Sequence, residues 1–478
     1  MAMTSHHISS VFGFLNEKAD YAVLRNYQGL PDDNCSRDID IIITKMCLKS
    51  IKQELVEVLC KDGWRIITYL NSDRLITFVC AHHSLEKTEL VQWDFFINTS
   101  VWGVELMSAE EFVEHRVWNG FLYHVDIVGE FLDKYLYNRA VGASYPAKYE
   151  AIRRRILGPL TEDLSHTEAL SHTENSQQIL TPAEQSSRPP KTGGQYDAHR
   201  RVAEKLNVVF GCGDLVVCDG MSGKRLLWNA VKWNLRHRPL GLIGGVCAFL
   251  YTFVKNYICS NTGFSIGFTG PDGVGKTTVI DMLIERLGDV FRTAHSYLHF
   301  RPMLFGNLGE VAHSAGLKKE VDREYTNPHR GGKVGVVSSL VRLAYYSVDY
   351  IVGYWVKVKT QICITRLVIF DRYYTDVICD SRRSRIFLNY KFLYWFGRVF
   401  IPRLDYNILL TARTETILSR KRELTEEGIE AINDKIDYLS TKKGYKKVLN
   451  DSTPEVAITE ILEYIFECQH KKNLKRLR

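Results

Sequence analysis

Phe264 to Arg286 reads FSIGFTGPDGVGKTTVIDMLIER, and this stretch decides how the C-terminal half of the chain is built. Phe264, Ile266 and Phe268 give strand character, a loop then spells G-x-x-x-x-G-K-T from Gly270 to Thr277, and a helix-forming pattern follows at once. Glycines let the loop backbone bend so that its N–H groups point inward, and the new helix adds its positive N-terminal end, an arrangement that suits the phosphates of a nucleotide. The nucleotide-binding candidates are therefore Gly270, Asp272, Gly273, Gly275, Lys276, Thr277 and Thr278. Lys276, read as an exposed loop lysine, reaches the β- and γ-phosphates of ATP, and Thr277 offers its hydroxyl to Mg²⁺. Val279, Ile280, Leu283, Ile284 and Leu287 fall on one apolar stripe that packs the helix on the sheet.

A chain of 478 residues exceeds one ordinary core, so two or more domains are expected. With 45% hydrophobic and 24% charged residues it reads as globular. Lys+Arg 62 against Asp+Glu 55 leaves +7, too mild over this length to indicate a nucleic-acid partner. The eleven cysteines form no C-x-x-C pair, which predicts neither a disulfide framework nor a zinc site. A reducing, cytoplasmic setting fits, and the first residues lack the layout of a secretion signal.

In the N-terminal third, Asp38-Ile39-Asp40 enters the strand Ile41 to Ile43, and Asp94 lies in a second strand pattern, VQWDFFI. Carboxylates one residue apart in a strand point to the same side, and three such groups can hold divalent metal around a triphosphate. Over roughly Asn16 to Ser100 the chain resembles the nucleotidyltransferase superfamily, with its D-x-D and later Asp. It departs from that pattern ahead of the acidic pair: the usual Gly-Ser is absent and Arg25-Asn26-Tyr27 stands there. Catalysis, ligand binding alone and carboxylates that merely end strands all stay open.

Glu110 to Arg155 has helical composition, with Phe112, Val113, Val117, Phe131, Leu132, Tyr135 and Leu136 as its apolar positions. Leu157 to Tyr196 turns to Ser, Thr, Glu, Gln and Pro, with the tandem LSHTEA/LSHTEN, and reads as a mobile linker in which His166 and His172 belong to a duplicated spacer. Leu240 to Val254 is uncharged for fifteen residues, short of a bilayer core at helical rise. A helix docked on the C-terminal core is expected there. The alternative is a helix on an anionic membrane surface, since Lys224, Arg225, Lys232, Arg236 and Arg238 precede it. The basic end KKNLKRLR reads as a solvated tail.

Beyond the glycine-rich loop, Leu367 to Phe370 is a strand that delivers Asp371 and Arg372 at its carboxyl end, where ligands gather in open α/β sheets. Asp371 suits the metal's water shell, and Arg372 an acceptor phosphate or the charge on a transferring group. A strand over Tyr406 to Thr411 leads to a helix carrying Arg413, Arg420, Lys421 and Arg422, and a last strand and helix run from Val448 to Phe466.

FTGPDGVGKTT, VIFDRYYTD and ARTETILSRKRELT resemble, in the same order, the phosphate loop, the Asp-Arg segment and the lid of thymidylate kinases, over about Gly263 to Gln469. The resemblance implies phosphoryl transfer from ATP with Mg²⁺: Lys276 and Thr277 on phosphate and metal, Asp272 near the acceptor sugar, Asp371 and Arg372 as the Asp-Arg pair, Arg420 and Arg422 as lid basics. LRNYQGLP, HFRP and FDRYYTDVICDSRR further resemble chains that join a nucleotidyltransferase-like region to such a kinase and are linked with bacterial surface polysaccharide loci. The family's Arg-Glu-Pro-Gly-Gly segment is missing; YLHFRPMLFG stands in its place. That difference predicts that dTMP is a poor acceptor, and that a sugar, sugar phosphate or glycan-linked group binds beside His299 and Arg301.

The expected architecture is α/β: an α+β nucleotidyltransferase-like domain with a helical annex over 1–156, a linker over 157–196, a helical connector over 197–261, and a P-loop kinase with a parallel sheet and helices on both faces over 262–478. A homodimer and a peripheral contact with the inner face of the membrane, through the basic segments, are compatible with this reading.

Overall fold

The computed structural model describes residues 3–34, 38–84, 87–157, 193–258, 263–287, 295–304, 335–363 and 366–478. Residues 158–192, most of the expected linker including both of its histidines, lie outside them. The ends of that tract are helical: Glu150–Leu157 closes one helix and Gly193–Phe210 begins another. By contacts the chain divides into two compact units, Met1–Lys61 with Asn71–Thr77 and Trp93–Thr252, and Asp62–Leu70 with Phe78–Gln92 and Phe253–Arg478.

Helix α1 (Met3–Lys18) buries Ile8, Val11, Phe12 and Leu15, a three-and-four spacing that sets one face inward. Strands β1 (Tyr21–Val23), β2 (Asp38–Ile43), β3 (Arg65–Asn71), β4 (Leu75–His83), β5 (Thr88–Phe96), β8 (Val117–Trp118) and β9 (Tyr123–His124) form a sheet in the order β3-β4-β5-β2-β1-β9-β8. Strands β6 (Asn98–Val101) and β7 (Val104–Ser108) make a separate hairpin that turns at Trp102 and Gly103, both with positive φ (52° and 82°). Helix α2 (Lys45–Leu59) starts where the Thr44 hydroxyl accepts from the Cys47 N–H.

The stretch Glu110 to Arg155 is not helical throughout. Val117–Trp118 and Tyr123–His124 pair as antiparallel strands across Asn119-Gly120, a turn signal that outweighed the helical composition around it. Its remainder supplies α3 (Ile127–Ala140), capped by Asp126. Phe131, Leu132, Tyr135 and Leu136 of α3 share a core with Leu206 and Phe210 of α4 (Gly193–Phe210) and Leu226 and Ala230 of α5 (Gly223–His237). Helix α6 runs Pro239–Ile258, longer than its uncharged core because it continues through Lys255. At about 1.5 Å per residue it reaches bilayer length, so by length and composition it qualifies as a span, which the shorter uncharged run did not predict.

In the second unit, β10 (Phe264–Thr269), β11 (Ser296–His299), β12 (Leu367–Asp371), β13 (Tyr406–Thr411) and β14 (Tyr445–Leu449) are all parallel, in the order β11-β12-β10-β13-β14. Every residue of β10 is buried, as a central parallel strand requires. Helix α7 (Lys276–Leu287) buries Val279, Ile280, Leu283 and Leu287, with Ile284 half-buried beside them, so the expected stripe is the packed face. Helices α8 (Val336–Gly353), α9 (Tyr374–Cys379), α10 (Tyr390–Phe400), α11 (Thr414–Arg420), α12 (Glu426–Ser440) and α13 (Pro454–Leu477) also belong to this unit. The basic end belongs to α13, where Asn473 is buried and Lys472 pairs with Asp405, so it is not a loose tail.

Candidate active site

Because β10 lies between β12 and β13, the chain leaves the centre of the sheet in one direction and later returns to the other side, and a crevice opens at the carboxyl ends of these strands. The loop from Gly270 to Gly275 fills that edge. Gly273 and Gly275 take φ of 89° and 91°, and a Cβ on Gly270 would sit 2.3 Å from the Leu410 carbonyl oxygen, so only glycine fits there.

Lys276 differs from the exposed loop lysine expected of it. It is buried, and its Nζ donates to the carbonyls of Gly270 (2.9 Å) and Pro271 (2.8 Å), drawing the loop closed. Burial first, and the Arg372 guanidinium second, hold its pKa down at about 7. Thr277 and Thr278 lie exposed at the start of α7.

Asp371 ends β12 in register with Phe268 of β10 and His299 of β11. Its Oδ2 accepts from the Tyr297 hydroxyl at 2.9 Å and lies 3.3 Å from His299 Nδ1. Burial alone would raise this carboxyl, but His299, Arg372, Lys276 and Tyr297 together hold it at about 2. Its Oδ1 is buried with no hydrogen-bond partner among the described residues. A buried carboxylate oxygen without a partner, beside a phosphate loop, is what a divalent cation or its bound water would satisfy, so the site fits Mg²⁺.

Arg372 has φ 74°, which for a residue with a Cβ is a strained left-handed conformation, held by its N–H on the Phe268 carbonyl. The turn carries its guanidinium under the loop, onto Asp376 (2.7 Å) and Asp272 (2.5 Å). Asp272 also accepts from Arg383. Burial would lower the Arg372 pKa, but Asp376 and Asp272 raise it, and burial pushes Asp376 up.

At the end of α11, Arg420 donates to the Asn450 carbonyl at 2.9 Å and comes within 3.9 Å of where a Gly275 Cβ would be. Asn450 in turn donates to the Val274 carbonyl at 2.8 Å, joining the loop to β14. Arg422 is exposed. Arg301, expected to clamp an acceptor, is instead 2% exposed, paired with Asp349 at 3.2 Å and set over the Tyr346 ring. Sequence reading also missed Asp376, Arg383, Tyr297 and Asn450. Asp376 stood in the quoted VIFDRYYTD, four residues past Arg372 on the helix that follows; Asn450 carried no local signal.

In the first unit, ligand oxygens of Asp38, Asp40 and Asp94 lie within 4.8 Å of one another, as the shared side of the strands predicted. Arg25, which stands where the Gly-Ser was missed, reaches into the same place: it pairs with Asp40 at 2.6 Å and Asp133 at 2.9 Å. Thr77 donates to Asp94 at 2.6 Å. The donors suit a divalent cation, and one of them, Asp40, already pairs with a guanidinium.

No family model matches the chain, and no curated protein does. Similar solved structures include the thymidylate kinase of Ehrlichia chaffeensis, at 15% identity and TM-score 0.30 over 42% of this chain and 98% of that one. Another is the thymidylate kinase of Candida albicans, at 18% identity and TM-score 0.30 over 44% and 93%. The P-loop α/β fold is read from the strand order around Gly270–Thr277 itself.

Proposed function

We propose that the second unit is an ATP-dependent kinase that transfers the γ-phosphoryl group to a nucleotide, sugar or sugar-phosphate acceptor. The observation that carries it is the placement of Asp371, with an unpartnered buried oxygen, beside Lys276 and Arg372 at the mouth of the glycine loop. A carboxylate with an open oxygen and a strained arginine side by side at the loop suit phosphoryl transfer better than nucleotide holding alone.

Thr277 and Asp371 would hold Mg²⁺, which would supply positive charge to offset that of the phosphates. Lys276 exchanges the Gly270 and Pro271 carbonyls for phosphate oxygens, and the N–H groups from Gly273 to Thr277 line the rest. Asp272 and Asp376 fix the plane of the Arg372 guanidinium, which then meets charge on the transferring group without reorganising. Arg420, steadied by Asn450, and Arg422 approach from the lid and exclude water. Tyr297 and His299 hold Asp371 and face the acceptor side. A carbohydrate acceptor accords with the resemblance to chains linked with surface polysaccharide loci.

ADP formation by the full chain, with Mg²⁺ and a panel of nucleoside monophosphates, sugars and sugar phosphates, tests this reading. Acceptor-dependent ADP release, lost in Asp371→Asn, supports it. ATP binding with no acceptor-dependent turnover would identify a nucleotide-regulated binding protein instead, and pyrophosphate release would point to the first unit.

A further inference from the structure

Helix α6 shows two faces. Leu242, Gly245, Val246, Phe249 and Thr252 are half-buried, whereas Leu240, Ile243, Cys247, Leu250 and Tyr251 are exposed, Leu240 by 83% and Tyr251 by 64%. No residue of the helix is fully buried. At its middle the helix touches the β6–β7 turn: a Cβ on Gly245 would meet the Gly103 carbonyl oxygen at 2.2 Å, and one on Gly103 would meet the Gly245 carbonyl oxygen at 2.3 Å. Trp102, next to that contact, is 60% exposed. The missing side chain of Gly245 is what lets the helix lie close against the turn.

The preceding helix, α5, carries the charge that comes just before this stripe in the chain. Arg225, Trp228, Lys232 and Leu235 follow one another along its exposed face, and Lys232 lies 5.7 Å from the Trp228 ring. Asn234 and Arg238 tie its end to Glu105 of β7, at 2.9 Å each. From Gly220 to Pro271 the chain has no acidic residue at all, while Lys224, Arg225, Lys232, Arg236 and Arg238 crowd its first part.

We infer that α5 and α6 form a docking face for an anionic lipid bilayer, with α6 lying in the plane of the headgroups. An apolar stripe on one side, the protein on the other, flanking cations and tryptophans at the rim are the features of an interfacial helix. A spanning helix would have to give up the half-buried face along Leu242 to Thr252. A second copy of this chain fits less well, because a two-fold contact through this face sets its own cations against each other across a symmetric interface. The docking face is separate from the proposed kinase chemistry, and its test does not read turnover.

The test is flotation of the full chain with vesicles of phosphatidylcholine, alone or mixed with phosphatidylglycerol. The chain should rise with the anionic vesicles, stay behind with the neutral ones, and be released as salt increases. Ile243→Glu with Leu250→Glu should lower partitioning by about ten-fold or more. Lys224→Gln with Arg225→Gln and Lys232→Gln, three exposed positions whose loss leaves the core intact, should lower it by about a hundred-fold. The inference is overturned by equal recovery on neutral vesicles, or by no flotation of the native chain. It is equally overturned if light scattering shows a native dimer that the Ile243→Glu, Leu250→Glu chain no longer forms.

Discussion

Asp272 Oδ1 accepts from Arg372 Nη2 at 2.5 Å across a hundred residues of chain, and the other oxygen of the same carboxylate accepts from Arg383. One loop carboxylate therefore holds two guanidiniums beneath the phosphate site. Asp272→Ala leaves Arg372 and Arg383, 4% and 16% exposed, close together without their shared anion. Removing one partner of a buried pair costs roughly 3–5 kcal/mol, so the melting temperature should fall by on the order of 10 °C. ATP should restore more of that loss than it adds to the native chain, because its phosphates supply anion at the same place. Unchanged melting of the variant would show that the pair carries no stability.

Lys276 sets the pH dependence of nucleotide binding. With its pKa held at about 7 in the free site, it is half-charged at pH 7 and largely neutral at pH 8.5. Phosphate beside it favours the charged form, so binding above pH 7 takes up a proton and affinity falls as pH rises, by up to about ten-fold per unit. Calorimetry in buffers of different ionisation heat should find uptake approaching one proton at pH 8.5. Affinity that stays level from pH 7 to 9 would contradict this. Lys276→Ala, which on sequence alone removes only charge, should also loosen the loop, since the Gly270 and Pro271 carbonyls lose their donor. ADP release should fall by about a hundred-fold or more.

The phosphate site was legible because each of its parts has a local pattern. Glycine spacing marks the loop, a four-residue apolar run marks β12, and Asp371 falls at the end where ligands gather. Strand β13 spans Tyr406–Thr411, the range expected of it. Contacts between distant segments left no such trace. Asp272 finds Arg383 and Asn450 finds Val274 only once the strands are parallel and in register. Burial was equally hidden: Lys276 and Arg301 look the same in sequence as exposed cations, and the structure spends both on internal partners. At Asn119-Gly120 the turn signal was present in the sequence, and in the fold it prevails over the helical composition around it.

Asp371→Asn should separate nucleotide binding from metal use. Its carboxyl sits at about 2, so the native group is fully ionised at neutral pH, and the orphaned Oδ1 is the atom that metal would meet. An amide keeps the shape and removes the charge. ATP affinity in EDTA should change little, the gain in affinity on adding Mg²⁺ should vanish, and turnover should drop by about a hundred-fold to a thousand-fold. A variant that still gains affinity from Mg²⁺ would place the metal elsewhere.

Arg25 pairs with Asp40, one of the three carboxylates that a cation would use, and with Asp133. Burial would lower its pKa, but Asp40 and Asp133 raise it, so it stays charged. Arg25→Ala removes that charge while leaving the strands that carry the three carboxylates. Manganese binding to this variant, followed by electron paramagnetic resonance, should be tighter than to the native chain by about ten-fold or more. Equal binding by both would mean that Arg25 does not compete for the acidic site.

The last prediction concerns the acceptor. In thymidylate kinase-like chains the segment after the first helix brings an arginine to the acceptor phosphate, and here that segment is YLHFRPMLFG. Phe300 and Met303 take positive φ (63° and 52°), folding the segment so that Arg301 turns inward onto Asp349 while Pro302 packs against Gly353. To grip a monophosphate as the resemblance would imply, Arg301 would have to leave a buried carboxylate, which costs several kcal/mol. His299, 54% exposed and beside Asp371, remains on the open side, where it suits a hydroxyl donor better than a dianion. We therefore expect kcat/KM for dTMP well below the roughly 10⁴ M⁻¹s⁻¹ at the low end of enzymes acting on their own substrates. A sugar or sugar phosphate from the panel should exceed it. Steady-state rates with each acceptor decide between them, and efficient turnover of dTMP would show that Arg301 is released from Asp349 on binding and that the acceptor is a nucleotide after all.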